Sequence, residues 1–191
     1  MKAVILLATL KRTGLSNTET LSEFFQTRLT SRGVDCEIVK LVNYHIPAGT
    51  YTNMGSGDDW PSILDKILAA QIVIFATPIW WESHSSEMQK VIERLDHLHD
   101  EILEGKTSRL ENKVGGIIVT GDSDGAQHII ASLANFFNAV GILLPPYASL
   151  TVLSELQQKG ATTTREELLK FYEEQYAGTA DTMINKILKY V

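Results

Sequence analysis

Three short runs of apolar residues constrain this chain more than any other feature: residues 3–8 (AVILLA), 72–76 (IVIFA) and 114–119 (VGGIIV). Their β-forming centres give the pattern of strands covered on both faces. A polar or glycine-containing loop follows each run, and then apolar residues recur at helical spacing. Leu21, Phe24, Phe25 and Leu29 follow the first; Met88, Val91, Ile92 and Leu95 the second; Ile129, Ile130, Leu133, Phe136, Phe137 and Val140 the third. Strands alternating with helices predict a parallel sheet with helices on both faces, joined by right-handed crossovers.

Two weaker strands complete the sheet. Val34, Cys36 and Ile38 alternate with Asp35 and Glu37, which predicts a half-buried strand. Residues 142–153 read as a fifth strand that Pro145 and Pro146 restrict to an edge or bulge. Placing these two at the edges and the apolar three in the centre predicts an α/β, doubly wound, five-stranded sheet of order 2-1-3-4-5, a flavodoxin-like arrangement. In that order ligands bind beyond the carboxyl ends of the strands, at the switch point between the first and third.

Local signals set the expected boundaries. The first helix opens near Asn17 and closes at Gly33, and the second opens at Asp58-Asp59-Trp60-Pro61, with acidic residues and proline in its first turn. Thr77-Pro78 ends the third strand, Gly115-Gly116 lets a neighbour approach the fourth, and Gly141 stops the fourth helix. Thr164 and Glu167 form a capping box for a terminal helix. Residues 43–57 read as a long surface loop and residues 100–113 as a solvated, charged connection.

The composition, with 44% hydrophobic and 21% charged residues over 191 positions, suits one ordered domain spanning residues 1–191. A formal charge of −6 disfavours nonspecific binding to nucleic acid or anionic membranes, so an anion site must be a local pocket. Cys36, the single cysteine, permits neither an internal disulfide nor a cysteine-based metal site, which fits a reducing, cytoplasmic setting. The apolar start is short and broken by Lys11-Arg12, so neither a leader peptide nor a membrane span is expected. No metal site is expected either: His97 and His99, two apart on a helix, point to different sides.

Function is carried by the three loops. The first bears Thr9, Lys11, Arg12, Ser16, Asn17 and Thr18 before a helix start, where free backbone N–H groups and the positive dipole end favour an anion. The same Ser16-Asn17-Thr18-Glu19 stretch also fits a capping box that needs no ligand. This loop contains neither G-x-x-x-x-G-K-[ST] nor G-x-G-x-x-G. The second loop places aromatics after a proline, and the third runs from Thr120 through Gly121, Asp122 and Asp124 to Gly125. Together they imply a ligand with a phosphate and a flat ring.

In the order and spacing of these loops the chain resembles the flavodoxin-like NAD(P)H-dependent FMN reductase and quinone reductase superfamily, over nearly its whole length. The resemblance rests on Thr9, Lys11-Arg12 and Ser16-Asn17-Thr18, on Thr77-Pro78-Ile79-Trp80-Trp81, and on Gly121 through Gly125 followed by Ala126. It implies FMN as cofactor, its phosphate in the first loop and its ring system between the second and third. It also implies reduction by NAD(P)H, a small-molecule electron acceptor such as a quinone, and a homo-oligomer. A flavodoxin-type electron carrier without its own nicotinamide site is the alternative. Glu82 departs from the superfamily pattern, which commonly has glycine after the paired aromatics; it either lies beside the flavin or caps the following helix.

Overall fold

The computed structural model describes residues 1–158 and 160–191. Five parallel strands lie in the order β2-β1-β3-β4-β5: β1 (Lys2–Leu7), β2 (Asp35–Lys40), β3 (Ile72–Pro78), β4 (Val114–Gly121) and β5 (Ser149–Leu153). Five α-helices connect and cover them: α1 (Asn17–Thr30), α2 (Trp60–Ala69), α3 (Ser86–Leu103), α4 (Ala126–Val140) and α5 (Arg165–Leu188). The strand period of two sorts these helices into layers. Val4, Leu6, Val73, Phe75, Ile117 and Val119 face the core formed with α2, α3 and α4. Ala3, Ile5, Leu7, Ile72, Ile74 and Ile118 face the one formed with α1 and α5. Each fully buried Ile, Leu or Phe in these stripes contributes about 1.5–3 kcal/mol relative to exposure.

Two glycines on β4 let the layers close. A Cβ at Gly115 would sit 2.6 Å from the Phe137 ring, and one at Gly116 would sit 2.6 Å from Ile74 and 2.7 Å from Met183, on the opposite face. The helix starts follow the expected chemistry. Ser16 caps α1 by accepting from the Glu19 N–H, and Thr164 and Glu167 form a reciprocal capping box on α5.

Several boundaries differ from expectation. β5 begins at Ser149 rather than at residue 142, because Pro145-Pro146 and Tyr147, at φ 64°, break the ladder and leave Leu143 with an isolated bridge to Val114. β3 runs through Pro78, which pairs in register with Thr120. α3 extends to Leu103, so residues 100–103 are helical rather than connecting loop. α1 ends at Thr30, and Gly33 closes the turn after it, donating to the Thr30 carbonyl at 2.9 Å.

The loop at residues 43–57 is fastened rather than free. Arg94, fully buried on α3, donates to the carbonyls of Tyr51 (2.8 Å) and Pro47 (3.1 Å) and to the buried Asp58 carboxylate (3.1 Å), with its guanidinium 5.6 Å from the Trp60 ring. Burial alone pushes the Asp58 carboxyl up. The hydrogen bonds from Arg94 and from the N–H groups of Met54 and Trp60 outweigh it and hold this carboxyl below the usual carboxylate range.

Candidate functional site

The carboxyl ends of β1, β3 and β4 open into a cavity of about 980 Å³, at the switch point of the sheet. Its first wall is the loop from β1 to α1. Thr9 and Ser16 are buried and share a hydroxyl hydrogen bond of 2.8 Å, and Thr18 binds the Thr120 hydroxyl at 2.7 Å. These contacts aim the start of α1 at the cavity and tie it to the end of β4. Ser16 occupies the Glu19 N–H, which leaves those of Asn17 and Thr18, in the first turn, without an intrahelical acceptor. Lys11 lines the cavity while its ammonium closes the loop on the Leu15 carbonyl at 2.8 Å.

The second wall is a two-residue turn. Trp80 and Ser83 exchange backbone hydrogen bonds of 2.8 and 2.9 Å, with Trp81 and Glu82 between them at φ 48° and 61°. Positive φ at two consecutive non-glycine positions is the geometry of a type I′ hairpin, normally filled by Asn-Gly. The turn projects Trp81, 95% exposed, and leaves Trp80 46% exposed at the cavity rim. Ser85 secures its far side: its hydroxyl donates to the Ala8 carbonyl at 2.6 Å, and its N–H donates to the Thr77 hydroxyl at 3.0 Å. Ser85 also caps α3, so Glu82 is not the capping residue.

The third wall, Thr120 to Asp124, is packed against the second. The Ile79 N–H donates to the Thr120 carbonyl at 2.9 Å, and a Cβ on Gly121 would meet Ile79 at 2.7 Å. Gly125, at φ 113°, brings its backbone so close to the turn that a Cβ there would lie 2.6 Å from the Glu82 Cα.

Of the residues singled out from sequence, Thr9, Lys11, Ser16, Asn17, Thr18, Pro78, Ile79, Trp80, Trp81, Glu82, Thr120, Gly121, Asp122 and Asp124 line this one cavity. Three lie outside the lining. Arg12 is exposed, Thr77 is buried behind the second wall where it binds Ser85, and Gly125 sits behind the third as its contact with Glu82. The loop at residues 43–57 does not line the cavity. A fourth wall goes beyond the three loops expected from sequence: residues 156–158 and 160–163, after β5. Its sequence has no periodicity, and its only signal is that it leaves a strand at the same end of the sheet. The wall is fastened to the first by Asn17, whose side-chain amide donates to the Gln157 carbonyl at 3.3 Å.

The donor set suits a flavin phosphate. One part of the cavity offers hydroxyls, a helix start and Lys11; another offers indoles and glycine-flanked backbone. Both polar atoms of the Gln157 side chain are buried with no partner among the described residues. Among the described residues no cluster of His, Cys, Asp or Glu is arranged to hold a metal ion, and no helix is long and apolar enough to cross a membrane.

Comparison with known proteins agrees with this geometry. The family profile described as NADPH-dependent FMN reductase matches residues 1–157. The 8-demethyl-8-aminoriboflavin-5'-phosphate synthase of Streptomyces davaonensis is 32% identical over 161 residues, covering 78% of this chain and 62% of that protein. A divalent metal cation transporter, MntH of Mycobacterium bovis, is 29% identical over 160 residues, 81% of this chain but 23% of the transporter. The chain therefore spans less than two thirds of the length of either curated relative. The crystal structure of RosB with bound 8-demethyl-8-formylriboflavin-5'-phosphate superposes with a TM-score of 0.72 at 27% identity, covering 98% of this chain and 81% of that one.

Proposed function

Because this chain belongs to the NADPH-dependent FMN reductase family, we propose that it uses NAD(P)H to reduce FMN held in the four-walled cavity and then passes the electrons to a small acceptor such as a quinone. Family membership supports the coarser part of this reading, a flavin-dependent oxidoreductase with FMN as its cofactor. The observation that carries the rest is the convergence of a hydroxyl-rich helix start, an indole-bearing turn and a glycine-flanked loop on one cavity.

In this reading Thr9, Ser16, Asn17 and Thr18 bind the phosphate through hydroxyls, the Asn17 amide and the N–H groups of the first turn. Lys11 adds positive charge beside them. Ile79 and Trp80 flank the ring system on one side and Gly121 to Asp124 on the other. FMN supplies hydride and electron transfer when bound. The protein fixes the ring against rigid backbone, and the open rim at Trp80 and Trp81 gives a nicotinamide or quinone access to it.

The test is oxidation of NADH or NADPH by the FMN-loaded protein in the presence of a benzoquinone. Turnover that requires both FMN and quinone supports the assignment; a loaded protein that exchanges electrons only with a redox protein is an electron carrier instead. A second reading, in which the flavin phosphate is the molecule acted on, is favoured by the 32% identity to the 8-demethyl-8-aminoriboflavin-5'-phosphate synthase. Mass measurement of the flavin recovered after turnover separates the two, because a cofactor returns unchanged.

A further inference from the structure

One residue of the cavity wall, among those described, has side-chain polar atoms that are buried yet make no hydrogen bond within the protein. Oε1 and Nε2 of Gln157 are both buried and unpaired among the described residues, although the backbone around them is fully engaged. The Gln157 N–H donates to the Ser154 carbonyl at 2.9 Å, the Ser154 N–H in turn donates to the Gly121 carbonyl at 3.0 Å, and the Thr163 hydroxyl donates to the Leu156 carbonyl at 3.0 Å. The Gln157 carbonyl accepts from Asn17, the first residue of α1, whose own carbonyl accepts from the buried Tyr172 hydroxyl at 3.4 Å. The segment is thus pinned on three sides, and its amide is held where it gains nothing from the protein.

The buried hydroxyls of the cavity wall are paired, Thr9 with Ser16 and Thr18 with Thr120. The remaining unpaired buried atoms among the described residues, Trp60 Nε1 and His97 Nδ1, belong to residues that do not line the cavity. A buried amide without partners destabilises the free protein, so its retention here needs another cause. Its position beside the start of α1 supplies one. An amide offers two donors and an acceptor, which match the hydroxyls and phosphate oxygens of a polyol phosphate.

We propose that the side-chain amide of Gln157 is a binding group for the ribityl phosphate arm of the flavin, held unpaired in the free protein and satisfied by the ligand. This rests on the cavity being the FMN site. It assigns the fourth wall, which has no place among the three loops of the sequence pattern, to recognition of the arm rather than the ring.

The test compares Gln157→Leu with wild type in two measurements. In the free protein Leu removes the unpaired amide at similar volume, so the melting temperature stays level or rises. FMN affinity falls about tenfold, as expected for one hydrogen bond to a charged group. Lumiflavin, which lacks the arm, binds both proteins equally. Unchanged FMN affinity in a folded Gln157→Leu protein overturns the proposal, and so does an equal loss for lumiflavin. Should Gln157→Leu fail to fold, the wild-type protein still decides: the Gln157 side-chain NH2 resonances shift when FMN is added and stay in place with lumiflavin, and an unmoved pair overturns the proposal. A wild-type protein that takes up no FMN removes the underlying site as well, an outcome distinct from either of these.

Discussion

The contact between Gly125 and the Trp81-Glu82 turn makes the second and third walls one unit, and Gly125→Ala measures how tightly. Two costs add. At φ 113° an L-residue is strained, by about 1–3 kcal/mol. The new Cβ would also sit 2.6 Å from the Glu82 Cα and 3.2 Å from its Cβ. Restoring ordinary contact of 3.4 Å needs a shift of about 0.8 Å in backbone whose φ values of 48° and 61° already leave little room. Overpacking of this kind costs about 1–3 kcal/mol. The sum, about 2–6 kcal/mol, lowers the melting temperature by about 4–24 °C at 2–4 °C per kcal/mol for a chain of this size. Gly105→Ala is the control: Gly105 has φ 86° and open space where a Cβ would sit, with nothing within 4 Å, so it carries backbone strain alone. Scanning calorimetry of the two variants isolates the contact. FMN titration then shows whether the turn shapes the site: affinity falls in Gly125→Ala and stays at the wild-type value in Gly105→Ala. Equal melting temperatures and equal affinities for the two variants would refute the reasoning.

Arg94→Met strands the buried Asp58 carboxylate and costs about 3–5 kcal/mol by chemical denaturation; because the folded Asp58 carboxyl lies below its ordinary value, its stabilisation is complete above the unfolded carboxyl range near pH ~4 and is lost as pH falls through the folded value, so Asp58→Asn flattens the acid limb of the stability profile. In a Trp60→Phe protein only Trp80 and Trp81 remain, and saturating FMN quenches most of their emission; full retained emission excludes a ring site beside them. Glu82→Gln raises the midpoint potential of bound FMN by about 10–20 mV, the size expected of one exposed carboxylate acting through a water-like dielectric, and an unchanged redox titration removes Glu82 from the flavin's surroundings.

The sheet is legible in the sequence because its information is local. Residues 3–8, 72–76 and 114–119 have no polar position to face solvent, so they belong in the centre, and the half-polar β2 belongs at an edge. The first three walls are legible for a related reason: in this strand order every loop after a central strand reaches the same end. What cannot be read there depends on long-range contacts. Residues 142–148 are apolar enough for a strand, but two prolines and the positive φ of Tyr147 reduce them to one bridge. The polar face of α3 conceals that Arg94 points inward, because its carboxylate partner lies 36 residues away in the loop before α2. Gln157 carries no sequence signal; its amide stands out only in three dimensions, where both polar atoms are buried without a partner among the described residues. Glu82, open between two roles in sequence, is separated from the capping role once Ser85 is seen to hold the start of α3.

The central claim is that this cavity holds FMN within reach of a nicotinamide, and anaerobic mixing of the FMN-loaded protein with NADH or NADPH tests it most directly. The account predicts that one of the two bleaches the visible flavin band in proportion to the FMN bound, and that added quinone restores it. A flavin band unchanged by either nicotinamide, in a protein shown to bind FMN, would contradict it.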